Sequence, residues 1–406
     1  MNTSPAVRFL DRTTPPHIIT LVLLSGIAAM NMSAFLPSLP RMTEHFQTSF
    51  GVMQISVSGY LALTAFVQLM VGPLSDRYGR RSVILAAMSI FTVASIACAM
   101  ADTIEVFLFF RLLQGAVATG IVLSRAIVRD MVPQDQAASM IGYVTMGMAL
   151  VPMVAPMIGG ALDQSLGWRS VFWMLAASGA ALTLLCWVDQ GETVSGKGIS
   201  FRQQLNDYPE LLSSRRFWGY VLTTAFASGA FFAFLGGGPF IASSVFGLSP
   251  FWAGVCFGVP AIGYFTGNYL TGRYAVRHGV NRLVLAGSLI GAVGLTSAVV
   301  LTLLVGDHAL LFFSFCTMIG LGNGLVIPNA SAGMLSVRPH LAGTASGLGS
   351  ATMIAGGAGL SILGGASLSW GSGSLPLLII MASTMCLSLL SFLYVLYRER
   401  ELEGMA

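Results

Sequence analysis

Arg111 and Gln114 stand one helical turn apart in the apolar stretch IEVFLFFRLLQGAV. A cation so placed is costly in hydrocarbon, so it must face a bundle interior with oxygen partners, and it is a functional candidate by default. A second constellation, GPLSDRYGRR at 72–81, sets Asp76 among Arg77, Arg80 and Arg81, between Gly72 and Gly79. Glycines allow close approach and positive φ at a turn, and arginines hold such a loop on the cytoplasmic side. The acid can pair with neighbouring arginines or face the positive N-terminal end of a helix from another part of the chain. Asp130, beside Arg129, and Asp163 close two apolar runs and are the substitutes to consider as proton carriers, both expected to be solvated. Polar groups within apolar runs are candidates to line a substrate cavity: Asn31, Ser33, Tyr60, Gln68, Tyr264, Asn268, Asn323 and Asn329. An unpaired amide in hydrocarbon is unfavourable, which favours the asparagines. Met146, Phe231, Phe232 and Phe234 are the apolar candidates.

These residues need a scaffold, and composition names it. The chain has 406 residues, 55% hydrophobic and 9% charged, with mean hydropathy +0.79, against about 25% charged residues in soluble domains. Apolar stretches of about 20 residues, long enough to cross a hydrocarbon core as helices, recur twelve times. They lie near 17–38, 50–72, 82–100, 104–129, 137–162, 169–189, 217–242, 252–272, 282–304, 308–333, 341–366 and 374–397. The first is followed by LPSLPRM rather than a small-residue cleavage site, so it is expected to stay in the chain. All of the 20 Lys and Arg except Arg41, Arg111 and Arg169 lie at ends assigned to the cytoplasm. That positive-inside bias places both termini there and accounts for the net charge of +4 without a nucleic-acid partner. The five cysteines are scattered over five spans without metal-type spacing and read as core packing.

The polar stretch 190–216 divides residues 1–189 from 217–406, six spans from six. Gly272, Arg277 and Gly279 repeat Gly72, Arg77 and Gly79 after 200 positions, with Val276 in place of the acid. GGA at 159–161 returns at 364–366. A duplicated all-α membrane bundle, two pseudo-symmetric halves with a site between them, is the expected architecture. The fifth span is rich in small and helix-breaking residues, Gly142, Gly147, Pro152, Pro156, Gly159 and Gly160, which permit close helix contact and bend the rod. No phosphate loop of the Walker type is present. No paired carboxylates or His/Cys cluster supports enzyme chemistry, a metal or another cofactor. All sixteen acids and five histidines are expected at span ends or loops. A cavity without a carboxylate lacks a counter-charge for lipophilic cations, and Arg111 then favours neutral or weakly acidic amphipathic compounds.

GPLSDRYGRRSV after the second span resembles the signature loop of the major facilitator superfamily. Within that superfamily the chain is similar to the twelve-span drug:proton antiporters, specifically the bicyclomycin- and chloramphenicol-resistance exporters. LPSLP at 36–40, RLLQG at 111–115, APMIGG at 155–160 and AGTASGL at 342–348 carry the match. The resemblance implies the major facilitator fold, a bacterial inner-membrane location and proton-driven export of a small molecule, with Arg111 linked to proton transfer. It implies that APMIGG belongs to an antiporter-type helix. It also implies that Asp76 is a cytoplasmic latch facing a helix of the other half in the outward-open state, one-sided because Val276 replaces it in the repeat. Related exporters usually carry an Asp in the first span before the LP, where NMSAFLP offers Asn31 and Ser33. Proton coupling therefore rests on the resemblance. The chain is expected to act as a monomer in the lipid bilayer. Transport of a native metabolite (a sugar, an amino acid or a siderophore-like compound) and a non-transporting membrane sensor are the competing functions.

Overall fold

The computed structural model describes residues 7–132, 154–193, 209–338, 341–369 and 373–405, with 140, 144 and 151 singly between the first two stretches. The described residues are helical throughout, and ten helices among them are long and apolar enough to cross a membrane. These ten coincide with ten of the twelve expected spans. Of the other two, the eighth is a 29-residue helix, Pro250–His278, less apolar because Gly, Tyr and Asn interrupt it. The fifth is seen only as a helix over 154–166, so Met146, Gly147 and Pro152 lie outside the described residues.

In the first half the helices are α1 (Ile18–Ser33), α2 (Ile55–Tyr78), α3 (Arg80–Met100), α4 (Ile104–Leu113), α5 (Ala118–Met131), α6 (154–166) and α7 (Arg169–Asp189). The second half holds α8 (Arg215–Phe240), α9 (Pro250–His278), α10 (Val280–Val305), α11 (Ala309–Val337), α12 (Ala342–Ala366) and α13 (Leu375–Met405). Local chemistry sets their ends. The Ser249 hydroxyl accepts from Trp252 N at the start of α9, where Pro250 occupies the first turn. Ser214 does the same for Phe217 N in α8.

The repeated motif is mostly helix rather than loop. α2 runs on to Tyr78, and the reversal is made by Gly79 alone at φ +89°, with Gly279 at φ +82° in the second copy. A side chain would be strained at either φ. Gly72 is different from expectation: it lies inside α2, and a Cβ there would meet nothing within 4 Å. Neither a turn nor a close approach calls for glycine at that position in this conformation.

Packing repeats as well. α3 lies on α7 and α1 on α5; in the second half α10 lies on α13 and α8 on α11. Between the halves α2 runs along α12, and side chains join the halves at the end that carries Phe50. The Phe50 and Phe240 rings meet at a 52° tilt with centroids 4.1 Å apart. Gln54 Nε2 donates to Ser361 Oγ and to Ser361 O at 3.0 and 3.3 Å. α6 wedges into the same seam. A Cβ on Gly160 would run into the Pro250 carbonyl and one on Gly254 into the Pro156 carbonyl, while within the first half one on Gly159 would run into the Ala34 carbonyl. At the Gly79 end a Cβ on Gly72, Gly272 or Gly347 would meet open space.

Candidate functional site

Arg111 sits in the last turn of α4, where the helix carbonyls favour a cation. A 3-10 turn, Gln114–Val117, follows and links α4 to α5. The three-residue spacing brings Gln114 beneath Arg111, as the sequence suggests: Arg111 Nη1 donates to Gln114 Oε1 at 2.6 Å. The same nitrogen donates to Asn31 Oδ1 at 2.8 Å, Nη2 to Asn31 O at 3.1 Å and Nε to Ser56 O at 3.1 Å. Gln114 Nε2 passes the chain on to Ser95 Oγ at 2.7 Å. The Phe35 and Tyr60 rings cover the guanidinium, with centroids 4.1 and 4.3 Å from Cζ, a cation–π sandwich. Arg111 is 0% exposed. Each of these partners is a neutral oxygen or a ring. Since a guanidinium keeps its proton in a protein, this centre supplies a fixed charge and cannot itself release a proton.

Several expected cavity residues are therefore closed to solvent in this conformation. Asn31, Tyr60 and Gln114 are buried in the Arg111 centre, and Ser33 Oγ bonds back to Ala29 O at 3.0 Å. Phe234 is fully buried among Phe257, Phe312 and Phe313, with ring centroids 4.9, 6.3 and 6.2 Å away. Its role is core packing. Phe232 packs against Gly357, while Phe231 and Gln68 are half-buried. Asn329 Nδ2 is committed to Leu325 O at 2.7 Å and Thr271 Oγ1 at 3.1 Å. Asn323 Oδ1 is buried without a hydrogen-bond partner. Tyr264 and Asn268 are half-buried on α9, Asn268 Nδ2 donating to Tyr264 O at 2.8 Å.

Arg125 is a residue the sequence reading missed by counting it with the cytoplasmic ends. It lies inside α5, half-buried, close enough to Tyr264 of the other half to act on it electrostatically. Its position six residues before the end of α5 was the available signal.

In the GPLSDRYGRR segment Asp76 takes the first of its two options. Its Oδ1 lies 2.6 Å from Nη1 of Arg80, one turn on. Arg80 Nε also pairs with Asp130 Oδ2 at 3.2 Å, and Thr193 Oγ1 donates to the same oxygen at 3.2 Å. Asp130 is thus tied into an ion-pair network rather than merely solvated. Glu192 accepts from Arg80 N and Arg81 N at 2.9 and 3.3 Å and closes the N-terminus of α3. Arg81 Nη2 donates to Trp187 O at 3.0 Å, while Arg77 lies over the Tyr78 ring. Each of these partners belongs to the first half or to the start of the 190–216 stretch.

Both acids that the structure buries stand at span ends, as expected, but Asp163 is not solvated. Asp189, the last residue of α7, is fully buried and accepts from Leu10 N, His17 N and Thr20 Oγ1 at 2.7, 2.9 and 2.6 Å. The segment before α1 folds over it and supplies those donors. Asp163, one residue past the expected fifth span, has a side chain 0% exposed. α6 packs it against the 34–41 segment of its own half, and Pro156, Gly159 and Gly160 of the same helix are also buried. Burial pushes its carboxyl above the ordinary carboxylate range, against the opposing pull of Arg41 and Ser38. The surface also holds a groove of about 590 Å³ between Val293, Ser297 and Cys386, away from the seam.

Comparison with known proteins completes the picture. Residues 21–362 match the family model described as Major Facilitator Superfamily. The chain is 31% identical over 350 residues to the uncharacterized MFS-type transporter YdgK of Bacillus subtilis (strain 168), covering 84% of this chain and 87% of that one. It is 31% identical over 336 residues to the chloramphenicol resistance protein of Pseudomonas aeruginosa, covering 80% and 78%. A bacterial homolog of the human lysosomal transporter Spinster, solved in an inward-facing and occupied conformation, superposes with a TM-score of 0.72 at 18% identity, over 94% of this chain and 96% of that one. With its helical halves and a family match over most of its length, the chain belongs to the Major Facilitator Superfamily: it is a multi-pass membrane transporter and not an enzyme.

Proposed function

We propose that the protein is a secondary exporter of small amphipathic compounds, neutral or weakly acidic, in a bacterial inner membrane, with both termini and the Gly79 end in the cytoplasm. The observation that carries this reading is the one-sided seam. Gln54–Ser361, Phe50–Phe240 and the α6–α9 glycine contacts fasten the halves at one end, the end away from Gly79 and Gly279. A carrier that rocks two halves about a central site is open to one side at a time. The distribution of Lys and Arg assigns that open side to the cytoplasm.

On this reading the described state faces inward. In the outward-facing state Asp76 leaves Arg80 and faces a helix start of the second half, as the latch. The substrate class is supported by the charges near the axis: Arg111 has neutral partners, and Arg125 approaches Tyr264. The resistance named for the Pseudomonas relative favours drug-type cargo. Proton antiport follows from the resemblance. Expression in pump-deficient cells should raise tolerance to chloramphenicol and lower its accumulation; unchanged tolerance across a broad panel of neutral and acidic drugs overturns the drug-export reading. Flux in proteoliposomes that ignores an imposed pH gradient overturns proton coupling.

A further inference from the structure

α8 and α13, the first and last helices of the second half, enclose a groove of about 390 Å³ where the 190–216 stretch enters α8. One wall descends α8 from Arg215, through Trp218 and Gly219, to Leu222, a spacing that sets all four on one helix face. The other descends α13 from Tyr394 to Ser391 and Leu390. Gly219 lets the two helices close behind the groove, since a Cβ there would run into Val395. Trp218 is held in place, its Nε1 donating to Leu212 O at 2.9 Å. Leu222 and Leu390 are exposed although apolar. A cation, two aromatic rings and two leucines thus succeed one another over about 10 Å of helix. That is the order of headgroup, interface and hydrocarbon in a leaflet.

Charge selects the occupant. Around this groove Arg216 pairs with Glu399 at 2.8 Å, Arg338 with Glu210 at 2.8 Å, and Arg398 with Glu401. Arg215 is exposed and makes no ion pair or hydrogen bond among the described residues; Glu401 feels its charge while bound to Arg398. An uncommitted guanidinium at the mouth of an apolar groove complements an anion with a hydrocarbon tail. A helix is about 10–12 Å across with its side chains, too thick for a groove of this volume, which excludes a helical partner. We propose that the groove binds an anionic phospholipid, with its phosphate on Arg215 and an acyl chain between Leu222 and Leu390. Bound there, the lipid bridges the first and last helices of the second half. That it comes from the cytoplasmic leaflet rests on the orientation proposed above; the site itself does not.

The test uses the full chain in phosphatidylcholine vesicles, with Trp218 kept as the sole tryptophan and the others replaced by Phe. Phosphatidylglycerol or phosphatidylcholine with brominated acyl chains is added in rising proportion, and quenching of the Trp218 fluorescence reads the relative affinity of the groove for each. Phosphatidylglycerol should be favoured about fivefold, the worth of one arginine facing an anionic lipid. Arg215→Gln should abolish the preference, and Arg215→Lys should keep it. Ser391→Phe fills the groove while leaving Arg215 in place, and should abolish the preference and lower quenching by both lipids. Inorganic phosphate exchanged for chloride at constant ionic strength should change nothing. No preference in the parent, or one that survives Arg215→Gln or Ser391→Phe, overturns the lipid site. A preference that inorganic phosphate abolishes overturns it in favour of a free-anion site. Each outcome leaves the transporter reading standing, because none of them measures flux.

Discussion

Asp189, the last residue of α7, and Glu399, six residues before the end of α13, each tie the last helix of their half to the first. Asp189 Oδ2 accepts from Thr20 Oγ1 at 2.6 Å, and Glu399 Oε1 accepts from Tyr220 OH at 3.0 Å. Thr20 and Tyr220 are 200 residues apart, the offset that separates Gly79 from Gly279. Glu399 also receives Arg216 Nη2 and Asn281 Nδ2, at 2.8 and 2.6 Å. The duplication thus preserved a staple at the Gly79 end of each half while changing the acid and its donors.

Asp189→Asn keeps the shape but replaces one acceptor with a donor facing buried N–H and O–H groups. The loss expected is about 1.5–3 kcal/mol, the range for hydrogen bonds to a charged group, read as a lower melting temperature of the purified protein. Glu399→Gln should cost less, because its site is partly open to water. Equal, negligible effects would show that the two acids do not fasten their halves.

The Arg111 centre makes a different demand. Its planar fork serves Ser56 O, both Asn31 oxygens and Gln114 at once, and a lysine has no such fork. Arg111→Lys should therefore reduce flux by about tenfold or more, one decade for each 1.4 kcal/mol lost. Asn31→Asp should be tolerated and should raise the melting temperature, since it sets a carboxylate against an uncompensated cation. A double-mutant cycle with Arg111→Gln measures that coupling; an additive cycle would mean the new acid does not pair with Arg111.

What could be read beforehand and what could not divide along physical lines. Apolar runs mark the spans because the bilayer imposes their length. The Arg111–Gln114 pair was legible because it depends on spacing within one segment. Positive φ at Gly79 and Gly279 followed from two glycine-flanked reversals 200 residues apart. Burial at span ends was not legible: Asp189 is covered by the 8–20 segment and Asp163 by the 34–41 segment, both tertiary events. Asn31 looked like a cavity amide because nothing local tells a helix face turned toward the axis from one turned toward Arg111. Phe234 failed likewise, its three ring partners coming from α9 and α11.

Glycines in the seam are a stricter test of the closed end. A Cβ on Gly160 or Gly254 meets a backbone carbonyl, which cannot rotate away as a side chain can. Gly254→Val should hinder closure without harming the packing within either half. Transport should fall by tenfold or more, with the Phe50 end more open by the distance between spin labels at Glu105→Cys and Ser244→Cys, exposed positions of opposite halves at that end, and the melting temperature little changed. Gly347→Ala, where the added methyl meets open space, is the control and should stay near parental activity.

The bond from Gln54 to Ser361 predicts a smaller and graded effect. It joins α2 to α12 at the shut end, and both groups become solvated when the halves part, so the net contribution of the bond is about 1 kcal/mol. A two-state gate biased by that amount changes its population ratio about fivefold. Gln54→Ala should therefore move the closed:open ratio about fivefold toward open at fixed pH, measured by the same label pair. Phe50→Ala, which removes a ring packed against Phe240, should move it further in the same direction. The two substitutions sit on adjoining parts of one seam, so their combined effect should depart from a simple product. A Gln54→Ala protein with an unshifted ratio would mean that the glycine contacts of α6 and α9 hold the gate without help from α2 and α12.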